Sequence, residues 1–141
     1  MSILMVLAIG MAGGAGAVAR FVLDGVIRAR VRGPHPVGTM TINISGSLLL
    51  GLVTGLVLAA ALPTSATLVL GTGFLGGYTT FSTASSETVR LLQAGRTRAA
   101  LLSGAGTALM SLAAAGLGLA AALLLVWVDT PGPTSGPVAE H

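Results

Sequence analysis

The chain has 141 residues, of which 53% are hydrophobic and 8% charged, and its mean hydropathy is +0.93. A water-soluble domain carries roughly a quarter of its residues as Asp, Glu, Lys and Arg, so this composition excludes one and places a single domain in lipid. Zero cysteines exclude thiol chemistry, disulfides and Cys-ligated metals; two histidines are too few for a His-rich metal site; and seven arginines against four acids, with only 4% aromatic residues, do not make a nucleic-acid surface.

The first uncharged run, Met1 to Ala19, ends at Arg20 and continues through the mixed stretch Phe21 to Ile27. It is long enough for a membrane helix. Ala17-Val18-Ala19 resembles a signal-peptidase site, but no positive residue precedes the apolar run, and Gly13, Gly14 and Gly16 interrupt it, so a retained span is expected. No charged residue then occurs from Pro36 to Ser86, a stretch that suits two crossings, with Pro63-Thr64-Ser65 as the break and cap between them. These are span two, Val37 to Leu62, and span three, Thr64 to Ala94. Span four is Ala99 to Val128, with Trp127 at its end as an interfacial aromatic. Residues 1–128 are thus read as a four-helix transmembrane domain, and 129–141, with Pro131, Gly132, Pro133, Gly136 and Pro137, as a disordered tail.

The third span is unusual. Gly71, Gly73, Gly76 and Gly77 precede Tyr78-Thr79-Thr80-Phe81-Ser82-Thr83, which carries five hydroxyl groups in six residues. Glycines and β-branched residues weaken a helix, and broken helix survives at membrane depth only where protein or a water cavity satisfies the backbone. A broken third helix beside an ion or substrate site is expected. Close packing of small residues is the competing explanation; it suits Gly10/Gly14 and Gly51/Gly55, where no polar cluster accompanies the spacing. Asn43, with Ser45 and Ser47 nearby, must find partners or line water, either as an interhelical hydrogen bond or in a pore. Ser103, Thr107 and Ser111 recur every four residues and so share one helix face, bonding back to their own helix or facing a pore.

Three segments together resemble the CrcB/Fluc fluoride channel family: Gly13 to Phe21 (GGAGAVARF), Gly38 to Ser47 (GTMTINISGS) and, most specifically, Gly76 to Thr83 (GGYTTFST) closed by Ser86-Glu87. The resemblance spans about Gly10 to Gly118 and keeps the family's motif order. It implies an all-α membrane protein that assembles as an antiparallel dimer, with two narrow fluoride pores along the subunit interface and a central sodium ion on backbone carbonyls. By motif, the sodium carbonyls fall on Gly76 and Thr79, the pore ring on Phe81, the pore amide on Asn43, pore hydroxyls on Thr107 and Ser111, and a vestibule arginine on Arg20. Fluoride is small and strongly hydrated, so the pore must replace its water with aligned donors such as the Asn43 amide, the Thr80 and Ser111 hydroxyls and the positive edge of a phenyl ring. Carbonyls freed by a broken helix are hard oxygen ligands suited to sodium. No catalytic residue is expected.

Two departures accompany the resemblance. The family's third motif continues Phe-Ser-Thr-Phe, whereas Ala84 follows Phe81-Ser82-Thr83 here, and Ser103 stands where the family often has tyrosine. Since each family pore combines the first phenylalanine of one subunit with the second of the other, a homodimer of this chain would lack a ring in both pores. Four spans put Arg28, Arg30, Arg32, Arg96 and Arg98 on one side and no Lys or Arg in the loops of the other. The positive-inside rule then predicts one orientation in the cell membrane with both termini outside. Together these suggest pairing with a paralogous subunit of opposite bias that carries the second phenylalanine. A small dual-topology multidrug or cation exporter is the alternative, but such an exporter is expected to keep a central membrane carboxylate. Asp24 lies at an arginine-flanked end, and Glu87 is positioned to pair with Arg90 at i+3. A non-transporting packing subunit would not need the broken polar segment.

Overall fold

The computed structural model describes residues 2–31 and 36–129 of the chain. The first helix, α1 (Ile3–Arg30), starts at Ser2, whose hydroxyl accepts the Met5 amide at 3.3 Å, and ends where Val31 turns extended. Arg28 and Arg30 sit in its last turn, the end where cations offset the helix dipole. The glycines at 13, 14 and 16 do not break it. α2 (Val37–Leu58) stops four residues short of the expected Leu62 because Ala60 takes a left-handed backbone (φ 56°), which lets the amides of Ala61 and Leu62 fold back onto Leu56 O at 2.9 and 3.2 Å.

The expected third span is divided. Pro63 caps a short turn, Thr64–Ala66, which runs without interruption into a π-helical stretch, Thr67–Leu75, and one further α turn, Gly76–Tyr78; residues 64–78 are called α3. Thr79 (φ −78°, ψ 159°) and Thr80 (φ −149°, ψ 118°) are extended, and α4 (Phe81–Gln93) follows. Gly95, at φ 71°, closes α4. The last helix, residues 97–129 and called α5, comprises Thr97–Leu101, a π segment Leu102–Gly106, and Thr107–Asp129. Three helices, Ile3–Arg30, Val37–Leu58 and Thr97–Val128, are long and apolar enough to cross a membrane. Neither α3 nor α4 reaches that length alone, since the extended pair divides the apolar run. Arg32 and the tail residues 130–141 lie outside the described residues.

The packing is that of a membrane protein. Ile3, Met11, Phe21, Leu109, Leu112 and Trp127 all face outward, whereas the buried positions are mostly glycine, alanine, serine and threonine. Lipid gives apolar side chains no reason to hide, so helices associate through small residues and close backbone contact. α2 lies along α5, where a Cβ on Gly51 would run into the Ala115 carbonyl and one on Gly118 into that of Leu48. α1 lies along α3 in the same way, through Gly16 against the Phe74 carbonyl and Gly77 against that of Gly13. Gly51/Gly55 thus pack as expected, whereas nothing lies within 4 Å of a Cβ on Gly10 or Gly14. The α1 seam runs through Gly13 and Gly16, on a different face from that pair. Gly77, expected to weaken the helix, serves this seam.

Candidate functional site

Extended backbone at Thr79 and Thr80 removes the helical partners of the surrounding amides and carbonyls, and each must be answered from elsewhere. Asn43, on α2, answers two of them: its Oδ1 accepts the Thr80 amide at 2.8 Å and its Nδ2 donates to the Thr80 carbonyl at 2.9 Å. One carboxamide therefore satisfies both polar groups of one residue, as a neighbouring strand would. Its second N–H remains for another acceptor. Thr80 caps α4 with its hydroxyl, which accepts the Thr83 amide at 3.3 Å, donates to Thr83 Oγ1 at 3.1 Å and lies 3.3 Å from Ser82 Oγ. The Thr79 hydroxyl and amide both donate to Leu75 O, at 3.0 and 2.9 Å. Much of the hydroxyl density noted in the sequence is therefore engaged in closing helix ends.

These residues wall a cleft of about 590 Å³ between α2, the α3–α4 junction and α5. Asn43, Gly76, Thr79, Thr80, Phe81, Thr107 and Ser111, seven of the eight residues singled out from sequence, line it together with Ala84. They come from segments far apart in the chain, and the motif spacing alone did not place them in one wall. Phe81 opens α4 and is 87% exposed; Ala84 follows three residues later on the same face, leaving an aromatic ring and then a methyl group along that wall. The Thr107 and Ser111 hydroxyl oxygens are buried and have no hydrogen-bond partner among the described residues. A hydroxyl in that state is a donor and acceptor awaiting a ligand or water.

Arg20 is placed elsewhere. From α1 its Nε donates to the Gly77 carbonyl at 3.3 Å, so a cation meets the C-terminal end of α3. Ser103 does not share the wall with Thr107 and Ser111, although the four-residue spacing suggested it. Ser103 is buried within the π segment 102–106, and Gly104, one residue on, lines the cleft. The Glu87–Arg90 pair is likewise absent. Glu87 turns inward and its Oε1 meets Arg28 Nη2 at 3.0 Å, while Arg28 Nε meets Asp24 Oδ2 at 2.8 Å. Both membrane-end carboxylates are thus tied to one arginine, which ties α4 to α1.

Sequence reasoning did not single out Ser85 and Thr88 as wall residues, nor the pairing of Tyr78 with Ser45. Ser85 and Thr88 follow Phe81 and Ala84 at four-residue intervals, a spacing that was available once α4 was known to start at Phe81.

Known proteins are similar to this chain over most of its length. A chain from Leifsonia xyli subsp. xyli named fluoride-specific ion channel FluC 1 is 55% identical over 135 residues, covering 96% of this chain and 98% of its own length. Chains named fluoride-specific ion channel FluC 2 from Cutibacterium acnes (50% identical; 78% of this chain and 90% of theirs) and Moorella thermoacetica (47%; 81% and 93%) are also similar. The profile of the family described as CrcB-like protein, Camphor Resistance (CrcB), matches residues 7–119, a range that includes part of every helix and all eight residues singled out from sequence, and the chain belongs to that family.

Proposed function

We propose that the protein is a subunit of a fluoride channel through which cytoplasmic fluoride leaves the cell down its electrochemical gradient, and that it has no enzymatic activity. The observation that carries this reading is the Asn43–Thr80 clamp, which holds a break between two helices open against a cleft lined by an amide, hydroxyls and an exposed phenyl ring. Neutral donors on rigid helices suit a small anion that must shed its water, and a narrow path rejects larger ones by size. Two unpartnered hydroxyls, of Thr107 and Ser111, provide further donors along that wall. Family membership and the names of the similar chains support the same reading.

In this reading residues 64–93 form the third of four crossings, broken at Thr79–Thr80. A sodium ion fits the break. Leu75 O keeps the Thr79 amide as its helical partner and also takes the Thr79 hydroxyl, Gly77 O takes Arg20, and Gly76 and Thr79, both on the cleft wall, carry the hard oxygen atoms proposed as ligands. When bound, sodium supplies a positive charge that offsets the carbonyl dipoles and rigidifies the junction.

The subunit is proposed to sit in the cell membrane with both termini outside and to pair antiparallel with a paralogous subunit that brings the second phenylalanine. Ala84 and the one-sided arginines support that pairing. The purified chain in liposomes, monitored with a fluoride electrode, tests both parts. Weak passive efflux from the chain alone, rising at least about tenfold in Ala84→Phe, is expected. Robust efflux of the unmodified chain alone refutes the heterodimer, and fluoride movement that requires a proton gradient refutes the channel in favour of an exporter. The capture of both Asp24 and Glu87 by Arg28 already leaves the exporter reading without a free central carboxylate.

A further inference from the structure

Tyr78 is the last residue of α3 before the extended pair. It is 9% exposed, its ring stacks on Phe74 with centroids 6.1 Å apart and planes 10° from parallel, and it packs with Ile42 and Leu75 in a buried apolar cluster. A phenyl ring would fill that space equally well. The hydroxyl must therefore be explained separately. It lies 3.0 Å from Ser45 Oγ, and Ser45 Oγ donates to Ile42 O at 3.2 Å. Serine has one hydroxyl proton, so with that proton on Ile42 the tyrosine is the donor, and the chain of bonds runs from Tyr78 through Ser45 to the α2 backbone.

This link is in register with the clamp. Asn43 meets Thr80 and Ser45 meets Tyr78, so residues two apart on α2 hold residues two apart at the junction, in antiparallel order. Between them Gly46 lets α2 come close: a Cβ there would press on the Thr79 methyl group and lie 3.1 Å from the Tyr78 ring. One link alone leaves the junction free to pivot about it, whereas two links in register fix both its height and its rotation along α2.

We propose that the Tyr78 hydroxyl is a positioning group for the conduction site: through Ser45 it sets the register in which Thr80 meets Asn43 and Phe81 reaches the cleft. Its effect on flux rests on the channel reading; its effect on the backbone does not. Tyr78→Phe is a clean variant, because Ser45 keeps Ile42 O as its partner and no buried polar group is orphaned. Ser45→Ala differs, since it strands the tyrosine hydroxyl inside the apolar cluster.

The test is hydrogen–deuterium exchange on the purified full chain, together with fluoride-over-chloride flux ratios from liposomes containing whichever assembly conducts, the chain alone or with its partner. Loss of one net hydrogen bond predicts exchange in 79–83 faster by about three- to tenfold in Tyr78→Phe, with α1 and α5 unchanged. The flux ratio should fall by a similar factor, which a simple loss of folded protein would not cause. Ser45→Ala should loosen 79–83 at least as much, and the double variant should match Tyr78→Phe alone. Wild-type exchange in 79–83 for Tyr78→Phe, an unchanged flux ratio, or additive effects in the double variant overturns the proposal. Faster local exchange in a protein whose wild type passes no fluoride in any assembly upholds the positioning role and refutes the channel reading instead.

Discussion

Replacing Asn43 by alanine removes two hydrogen bonds, of 2.8 and 2.9 Å, from the Thr80 amide and carbonyl. Each is worth about 0.5–1.5 kcal/mol net when its groups can find water afterwards, and leaving a buried group unsatisfied costs about 1–3 kcal/mol. Asn43 is half-buried and lines the cleft, so water there takes over part of the bonding and the lower range applies. Two bonds then give about 1–3 kcal/mol, which lowers the population of the clamped junction about 5- to 150-fold. The freed junction has two alternatives: to admit water, or to close into continuous helix through Thr79 and Thr80, which would rotate Phe81 and the rest of α4 relative to the cleft. Either outcome removes the path, so fluoride efflux should fall at least about tenfold while the protein still purifies as a folded membrane protein. The assay is initial efflux rate per reconstituted protein, with exchange at the Thr80 amide as the local readout. Wild-type efflux together with wild-type protection of Thr80 in Asn43→Ala would refute the reasoning, because the clamp would then be dispensable for holding the junction.

Ala60→Gly should stabilise the chain by about 1 kcal/mol in a detergent unfolding titration, since Ala60 holds φ 56°, a conformation that disfavours a Cβ. Gly51→Ala should destabilise by about 1–3 kcal/mol because its Cβ would enter the Ala115 carbonyl, whereas Gly10→Ala, with open space around it, should be neutral or slightly stabilising in the same titration; equal effects would refute the assignment of packing seams. Arg28→Ala leaves Glu87 and Asp24, with side chains 15% and 26% exposed, without their cation. Because Arg28 itself is 59% exposed, a loss of about 1–2 kcal/mol is expected, well below that of a fully buried pair, and in a Glu87→Gln background Arg28→Ala should cost less, since only the Asp24 pair is then left to lose.

Helix existence was legible because lipid imposes a simple rule: apolar runs of sufficient length cross, and prolines and arginines mark their ends. The first run, the Pro63 turn and the long last helix follow it closely. Helix ends were less legible, as at Leu58, where an alanine in a left-handed cap closes α2 without a glycine to announce it. The motif residues were named individually, but their spacing presumed regular α-helix. Two π segments depart from it, and Ser103, which lies in one of them, is off the wall that Thr107 and Ser111 share. Glu87 was assigned its neighbour Arg90 because only local pairs are visible in one dimension; the partner it has, Arg28, is 59 residues away.

From the sequence alone it followed that the chain lives in a membrane, that its backbone is weakest near Gly76–Thr80, and that five of its seven arginines fall in two short segments, because hydropathy, propensity and charge act through local composition. The tertiary structure decided which glycines pack and which face open space, that one carboxamide of α2 satisfies both backbone groups of Thr80, and that Arg20 meets the end of α3. Those outcomes depend on the distance between segments separated by tens of residues. An unpaired backbone group inside a membrane accepts whatever donor packing brings to it, and no local pattern names that donor in advance.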